Sequence, residues 1–315
     1  MPSSDYRSLG SLSASLARAD GEKFGSRVFL CLNNRRHLLV DISKLNGYGL
    51  SFPDDVIDVD EELIDNMRPG QMLPRIWSDD ERRSPPSEGT SWDLREIAGS
   101  RLSGFGLEIG ALAAPFPVPV HCNVMYGDAF SHAELMSTYP DQPITDLVIP
   151  TLKTVFEDLK EVNQGSLDFI IASHVIEHTR DPIGAITNAY DKLRPGGSLV
   201  LVIPDRDRTF DRKRPLTTLE HLKQDYYDPS HERDAQHHQE YHSLAFPADP
   251  EKYESIWRYS WNTQKTIHYH TWLYETFGEL VDWVIDNTAP FKSVWSHRTL
   301  PHPVNDFEFY FTLTK

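Results

Sequence analysis

Hydrophobic and polar positions follow a strand–helix–strand pattern between residues 167 and 204. An apolar, β-branched run at 168–173 is typical of a buried strand. After Pro182, apolar residues return every three to four positions until Arg-Pro-Gly-Gly at 194–197, which predicts an amphipathic helix that stops there. A second apolar run at 198–203 predicts another buried strand. Two such strands joined by one short helix predict a parallel sheet covered on both faces.

Shorter patterns predict further elements. Runs typical of strands lie at 27–32, 35–42, 291–295 and 307–313. Asn33 and Asn34 join the first two of these as a hairpin. Helical patterns lie at 92–98 and 274–285, and residues 9–19 indicate a frayed segment or a weak helix. The acidic stretch 54–65 indicates a strand end that runs into a short helix, on a solvated face.

Composition divides the chain into two parts. The stretch 78–90 is charged and rich in proline, which is typical of a linker. Residues 1–85 then form a small N-terminal module with a β-hairpin and linker, whose function the sequence does not indicate. Residues 90–315 form the main domain, with an insertion at about 206–265 that is rich in Trp, Tyr and His and suits a lid over a pocket.

The charge of the chain restricts its partners. Lysine and arginine number 31 and the acids 47, so the net charge is −16. A nucleic acid is therefore not expected as a partner, because its backbone needs a basic face. The polar N-terminus and the lack of long apolar runs argue against a membrane, and only Cys31 and Cys122 are present, so a cytoplasmic protein is expected. The oligomeric state stays open, and a homo-oligomer is compatible with the sequence.

Three features carry a resemblance to a known family. A short strand ends in Glu108-Ile109-Gly110, an acid, Asp128, follows twenty residues after Glu108, and the strand–helix–strand unit lies downstream. In this order and spacing they resemble the class I S-adenosylmethionine-dependent methyltransferases, over residues 104–205 and more weakly to the C-terminus. The resemblance implies an α/β fold with a Rossmann-like, seven-stranded, mostly parallel sheet, helices on both faces and an antiparallel final strand.

The resemblance also implies the cofactor, S-adenosyl-L-methionine, and where it binds. A glycine at position 110 lets the backbone approach the cofactor closely. Asp128 is placed to accept hydrogen bonds from the ribose hydroxyls, and the acid at Glu108 supports the methionine end. The cofactor-binding candidates are Glu108, Ile109, Gly110, Ala111, Asp128, Ser173 and His174.

The chain departs from the family pattern in two places. Leu112 and Ala114 stand where the second and third loop glycines are usual, and Pro115 indicates a different loop path. We interpret this as the Glu-Ile-Gly-Ala-Leu variant, a subgroup met among bacterial biosynthetic and glycan-related proteins. The expected third strand, 146–151, ends at Thr151 and not at the acid that commonly receives the adenine, so the adenine contact stays unassigned.

Histidines and one acid are the candidates for catalysis. Transfer to a hydroxyl requires a base for its proton, and histidine suits neutral pH. His174 lies at the carboxyl end of a predicted strand, and His268 and His270 share one face of an extended segment. Asp205, which follows the fifth strand, is the further candidate.

A charged loop and two more histidines are the candidates for the acceptor. The loop between positions 206 and 214 carries arginines whose planar forks suit phosphates or carboxylates. The substrate-binding candidates are Arg208, Arg212, His178 and His221, with Asp205 and Asp207 beside the arginines. No metal is predicted: His238 and His242 have chelating spacing, but no third ligand completes a known motif, and a helix of solvated histidines is expected.

The predicted function is methyl transfer to a small-molecule acceptor that is anionic or sugar-like, as an O-methylation of a sugar or a similar biosynthetic intermediate. Two alternatives remain open. One is a non-catalytic partner subunit of methyltransferase fold, which Leu112 and Ala114 favour. The other is a nicotinamide-dependent oxidoreductase, which the absence of Gly-x-Gly-x-x-Gly disfavours.

Overall fold

The computed structural model describes residues 15–20, 27–32, 35–38, 45, 50–69, 91–140, 148–246, 249–299 and 307–315. Its strands are β1 (Ser15–Asp20), β2 (Val28–Leu32), β3 (Arg35–Leu38), β4 (Val56–Asp60), β5 (Arg68–Pro69), β6 (Phe105–Ile109), β7 (Asn123–Asp128), β8 (Leu152–Lys153), β9 (Leu167–Ser173), β10 (Leu193–Pro204), β11 (Ser293–Arg298) and β12 (Glu308–Thr314). Its α-helices are α1 (Glu61–Asp65), α2 (Ser91–Ser100), α3 (His132–Thr138), α4 (Pro182–Lys192), α5 (Leu219–Tyr227), α6 (His231–Glu240), α7 (Tyr253–Asn262) and α8 (Tyr274–Asn287).

The N-terminal strands form their own sheet, in the order β4-β1-β2-β3-β5. The predicted hairpin is present as β2 and β3, and the acidic stretch forms β4 and α1 as expected. The helix considered for 9–19 is wrong over residues 15–19, because this segment pairs with β2 and β4 as β1. The predicted linker at 78–90 lies outside the described residues.

The main sheet has seven strands, in the order β11-β12-β10-β9-β6-β7-β8. Strands β10, β9, β6, β7 and β8 run parallel, while β12 is antiparallel to both β10 and β11. This confirms the Rossmann-like sheet with an antiparallel final strand. Strand order reverses at β6, which pairs with β7 on one side and with β9 on the other, so the ligand crevice of this fold lies at their carboxyl ends.

The predicted strand–helix–strand unit is confirmed. Helix α4 begins after Asp181, whose side chain accepts a hydrogen bond from the backbone N–H of Gly184, with Pro182 in the first turn. Its apolar stripe, including Ile183 and Ile186, is buried against the sheet. Burying such a side chain contributes about 1.5–3 kcal/mol, so the periodic apolar positions are what fix the helix on the sheet.

The third strand of the main domain is displaced from its predicted place. Residues 148–150 form no strand, 141–147 lie outside the described residues, and β8 is the two-residue segment Leu152–Lys153 beside the end of β7. The displacement brings residues 154–157 to the carboxyl edge of the sheet.

Between β10 and α8, the inserted region forms two short 3₁₀ helices, Arg206–Arg208 and Phe210–Lys213, and then α5, α6, a π-helix (Tyr241–Ala245) and α7. Thr218 caps α5 by accepting from the backbone N–H of His221. None of the helices in the described part of the chain is both long and apolar enough to cross a membrane.

Candidate active site

A cavity of about 400 Å³ lies at the carboxyl ends of β6, β7 and β9. Ile109, Gly110 and Asp128 line it from the sheet. Arg180, Gln264, Thr266 and Tyr269 also line it. The cavity therefore extends from the strand-order reversal to the segment that follows the inserted helices.

The loop after β6 enters the cavity wall in a left-handed backbone conformation. Gly110 has φ +68°, and a Cβ built there would lie 3.1 Å from Cγ2 of Val175. Leu112 has φ +44°, which costs a non-glycine residue about 1–2 kcal/mol. Leu112 thus takes the conformation for which glycine is preferred, and it is one of the residues that line the cavity.

Glu108 lies behind this loop. Its side chain is 2% exposed, and Oε1 accepts a hydrogen bond of 2.8 Å from the backbone N–H of Phe116. Burial raises the pKa of Glu108 to about 8. Glu108 therefore holds the far end of the glycine loop from behind and does not line the cavity.

Asp128 ends β7 and lines the cavity. Its Oδ1 accepts from the backbone N–H of Phe130 at 2.9 Å, and burial raises its pKa. Near it, the buried hydroxyl of Thr154 lines the same cavity and has no hydrogen-bond partner within the described residues. A carboxylate and an unsatisfied hydroxyl beside a left-handed glycine fit the ribose and adenine of an adenosyl cofactor.

His174 follows β9 with φ +53°, an uncommon conformation that marks functional sites. Its Nε2 lies 2.7 Å from Oε2 of Glu308, which Arg95 also contacts through two hydrogen bonds of 3.0 and 2.7 Å. Burial alone would raise the pKa of Glu308, but the hydrogen bonds from His174 and Arg95 lower it to about 2. Glu308 is therefore ionised and accepts the Nε2 proton, which leaves Nδ1 of His174 as the basic nitrogen.

Glu177 is completely buried next to this pair. Oε1 lies 3.6 Å from Nδ1 of His174 and 3.9 Å from Nε2 of His268, and neither carboxyl oxygen has a hydrogen-bond partner among the described residues. Burial, followed by the opposing charge of His268, sets its pKa at about 7. A carboxyl with such a pKa can hold or release a proton near neutrality.

His178 lines the cavity beside His174. Its Nδ1 lies 2.8 Å from the carbonyl oxygen of Ile267, and burial and the charge of His268 lower its pKa to about 4. His178 is therefore neutral at physiological pH, with Nδ1 donating to the carbonyl and Nε2 able to accept.

Only part of the predicted set meets at the cavity. Among the described residues, the predicted candidates that line it are Ile109, Gly110, Asp128, His174 and His178. Ser173 is held within the strand pairing of β9, and Ala111 is nearly buried in the loop. Neither residue lines the cavity.

The other catalytic candidates lie outside that lining. Asp205 is 2% exposed and caps the turn Arg206–Arg208 by accepting from the backbone N–H of Asp207. His268 is buried, with Nδ1 2.5 Å from Oδ2 of Asp211. His270 is buried too, with Nε2 3.2 Å from the carbonyl oxygen of Arg180.

The expected arginine contacts with an acceptor are also not formed at the cavity. Arg208 donates to the carbonyl oxygen of Thr299, and Arg212 is exposed at the end of the second 3₁₀ helix. His221 lies 3.0 Å from Asp225 on its own helix. The sequence placed the charged loop correctly after β10, but the two 3₁₀ turns direct these side chains elsewhere.

Sequence reasoning missed the carboxylates that surround the histidines. Glu308 and its partner Arg95 come from opposite ends of the main domain, and no local sequence pattern singles out either residue. The expected helix of solvated histidines is wrong as well, because His237 and His238 of α6 are buried.

In the described part of the chain, two clusters contain the side chains that metals prefer. One comprises Glu177, His178 and His268 beside the cavity, and the other comprises His221, Asp225 and His237 of the insertion with His270, which follows it. The sequence indicated neither, because the members of each come from separate segments.

The comparison with protein families agrees with this geometry. A family model described as a methyltransferase domain matches residues 94–254, just over half of the chain. The chain therefore belongs to this family of methyltransferase domains. It is an S-adenosylmethionine-dependent enzyme, which confirms the predicted family, cofactor and enzyme class and overturns the two alternatives.

Solved structures are similar at low identity. An S-adenosylmethionine-dependent methyltransferase from Thermotoga maritima is 17% identical, with 67% of this chain and 81% of that chain covered and a TM-score of 0.37. One from Mesorhizobium loti is 10% identical, with 72% and 98% covered and a TM-score of 0.40. The chain spans about half the length of the carbon methyltransferase structures of the citrinin polyketide synthase and CurJ. The comparison with curated proteins found no match.

Proposed function

We propose that this enzyme methylates a hydroxyl group of a small, uncharged, sugar-like acceptor, and that His174 takes the hydroxyl proton. The observation that carries the proposal is a single cavity that Asp128, the Glu308-oriented His174 and Tyr269 all line. Donor and acceptor can therefore lie side by side in one space, and alignment of the two supplies much of the rate enhancement.

The cofactor end of the cavity lies at the carboxyl ends of β6 and β7. Asp128 is placed to accept hydrogen bonds from the ribose hydroxyls, and Gly110 allows close approach of the backbone. Thr154 offers its unsatisfied hydroxyl to the adenine ring. When bound, S-adenosylmethionine supplies an activated methyl group whose leaving group is a neutral thioether.

The base is the imidazole of His174. Glu308 holds the ring through Nε2, as the acid of a catalytic triad orients its histidine, and this leaves Nδ1 free to accept the acceptor's proton. Glu177 lies 3.6 Å from that nitrogen and stabilises the imidazolium as it forms. The new proton is therefore held on a half-buried imidazole between two buried carboxyl groups.

The acceptor end favours an uncharged ligand over an anionic one. The guanidinium of Arg180 is already engaged: Nε donates to Asp234 at 2.9 Å, Nη2 donates to Gln264 at 2.5 Å, and the group lies over the ring of Tyr269. Thr266 and His178 add further polar groups. Neutral hydrogen-bonding groups beside an aromatic ring suit hydroxyls and the apolar face of a sugar.

Mass spectrometry of reaction products tests this proposal. The enzyme is incubated with S-adenosylmethionine and a matched panel of sugars, amino sugars and simple amines, with the His174→Gln variant as control. We expect products that gain one methyl group on oxygen, formed by the wild type and strongly reduced in the variant. Methylation confined to amines or to carbon, or equal turnover by the variant, would contradict the assigned acceptor class and base.

A further inference from the structure

Three side chains of the inserted region and one from the segment that follows it converge on one point outside the lining of the cavity. His221 and Asp225 lie one turn apart on α5, His237 lies on α6, and His270 precedes α8. One ligand-type atom from each lies within 4.8 Å of every other. The cluster thus joins two inserted helices to the segment that returns to the main sheet.

The spacing of these atoms fits a tetrahedral metal ion. Ligands about 2.0–2.1 Å from a zinc ion stand about 3.3 Å from one another at tetrahedral angles. Nε2 of His221 lies 3.0 Å from Oδ2 of Asp225 and 3.3 Å from Nε2 of His237. Oδ2 of Asp225 lies 3.9 Å from His237 and 4.0 Å from His270, so small side-chain shifts complete the tetrahedron.

The surroundings of the Asp225 carboxylate favour a bound cation. Asp225 is 7% exposed, and its Oδ1 accepts a 2.7 Å hydrogen bond from Nε of Arg233. Oδ2 points toward the three rings and has no well-aligned hydrogen-bond donor within the described part of the chain. Buried carboxylate oxygens are normally satisfied, and Arg233 is the kind of outer partner that orients a metal-binding carboxylate.

The site also has a metal-free arrangement. Nε2 of His270 then donates to the carbonyl oxygen of Arg180 at 3.2 Å, and Nδ1 of the same ring is buried with no partner among the described residues. Metal binding through Nε2 moves the proton of the neutral His270 ring to Nδ1, and it requires His221 and His237 each to offer an unprotonated nitrogen. Protons compete with the metal for these nitrogens. The affinity for the metal should therefore fall with falling pH, because protonated rings cannot bind it.

We propose that His221, Asp225, His237 and His270 form a structural zinc site that fastens the inserted helices to the main domain. Three imidazoles and one carboxylate suit zinc, whereas magnesium and calcium prefer oxygen ligands throughout. Four protein ligands leave no open position, so the ion takes no part in methyl transfer. Its effect reaches the acceptor through Tyr269, which precedes His270 and lines the cavity.

Metal content and affinity test this proposal on the full-length protein. The protein is stripped with a chelator, reloaded with zinc chloride, desalted and analysed by inductively coupled plasma mass spectrometry, and zinc binding is followed by calorimetry. The variants are His237→Ala, Asp225→Asn and Arg233→Gln, and the control is His231→Ala, an exposed histidine on the same helix. Circular dichroism and S-adenosylhomocysteine binding show which variants remain folded.

We expect about one zinc per chain in the wild type and in His231→Ala, and none retained by His237→Ala or Asp225→Asn. Arg233→Gln should weaken zinc binding about 10–100-fold, as loss of an outer partner does. Cobalt substitution should give the intense visible absorption of a tetrahedral ion in the wild type and in His231→Ala, but not in His237→Ala or Asp225→Asn. Metal-free wild type after loading, or equal zinc retention by folded His237→Ala, would overturn the site.

Discussion

Nε2 of His174 lies 2.7 Å from Oε2 of Glu308, although 134 positions separate the two residues in the chain. The contact exists because β12 inserts antiparallel beside β10 and brings Glu308 to the carboxyl edge of the sheet. Arg95 of α2 then fixes the carboxylate from the other side. The histidine at the cavity is therefore oriented by both ends of the main domain.

Replacement of His174 by glutamine should remove the base and leave the cofactor site intact. General base catalysis contributes about 10²–10⁴-fold, so kcat should fall by that factor, while the affinity for S-adenosylhomocysteine stays close to that of the wild type. Steady-state methyl transfer and calorimetry measure the two quantities. His297→Gln, on β11, is the control and should retain kcat; an unchanged kcat in His174→Gln would exclude this role.

Glu177 should make the stability of the fold depend on pH. Burial raises its pKa from 4.5 to about 7, so between these values the unfolded chain loses the proton while the folded chain keeps it. Stability is therefore lost as the pH rises through this window. Glu177→Gln removes the effect, so its melting temperature should exceed that of the wild type by more at about pH 8 than at about pH 5.

Differential scanning fluorimetry at both pH values measures this difference. Glu279→Gln, at an exposed position on α8, serves as the control and should show the same offset from the wild type at each pH. If Glu177→Gln behaves like this control, the carboxyl is not held protonated in the folded protein.

Leu112→Gly tests whether the variant loop hinders the cofactor. Leu112 already has the left-handed conformation that glycine prefers, and the cavity is open beside it. We therefore expect the dissociation constant of S-adenosylhomocysteine to change by less than about tenfold, equivalent to 1.4 kcal/mol. A far larger gain in affinity would mean that the leucine side chain blocks the site in solution.

The fold was largely predictable from the sequence, because its signals are local. The buried strands β9 and β10 and helix α4 each carry their pattern within a dozen residues. The third strand was misplaced because β8 has only two residues and carries no periodicity. In the small sheet, β1 was misread because its pairing with β2 and β4 overrides a weak helical pattern.

The site was less predictable than the fold. Position at a strand end was enough to single out Gly110, Asp128 and His174, which the structure brings to one cavity. Glu308 and Arg180 depend on contacts between distant segments, which one sequence does not reveal. The prediction of a solvated histidine helix failed for the same reason, since the partners of His237 lie on α5 and before α8.

The most direct test of the cofactor site is calorimetric titration with S-adenosylhomocysteine. It compares the wild type with Asp128→Asn and with the control Asp282→Asn, at an exposed position on α8. Hydrogen bonds to a charged group contribute about 1.5–3 kcal/mol, so Asp128→Asn should bind about 10–100-fold more weakly than the wild type, and Asp282→Asn should bind equally well. Equal binding by Asp128→Asn, or no binding by folded wild type, would contradict the placement of the cofactor between Gly110 and Asp128.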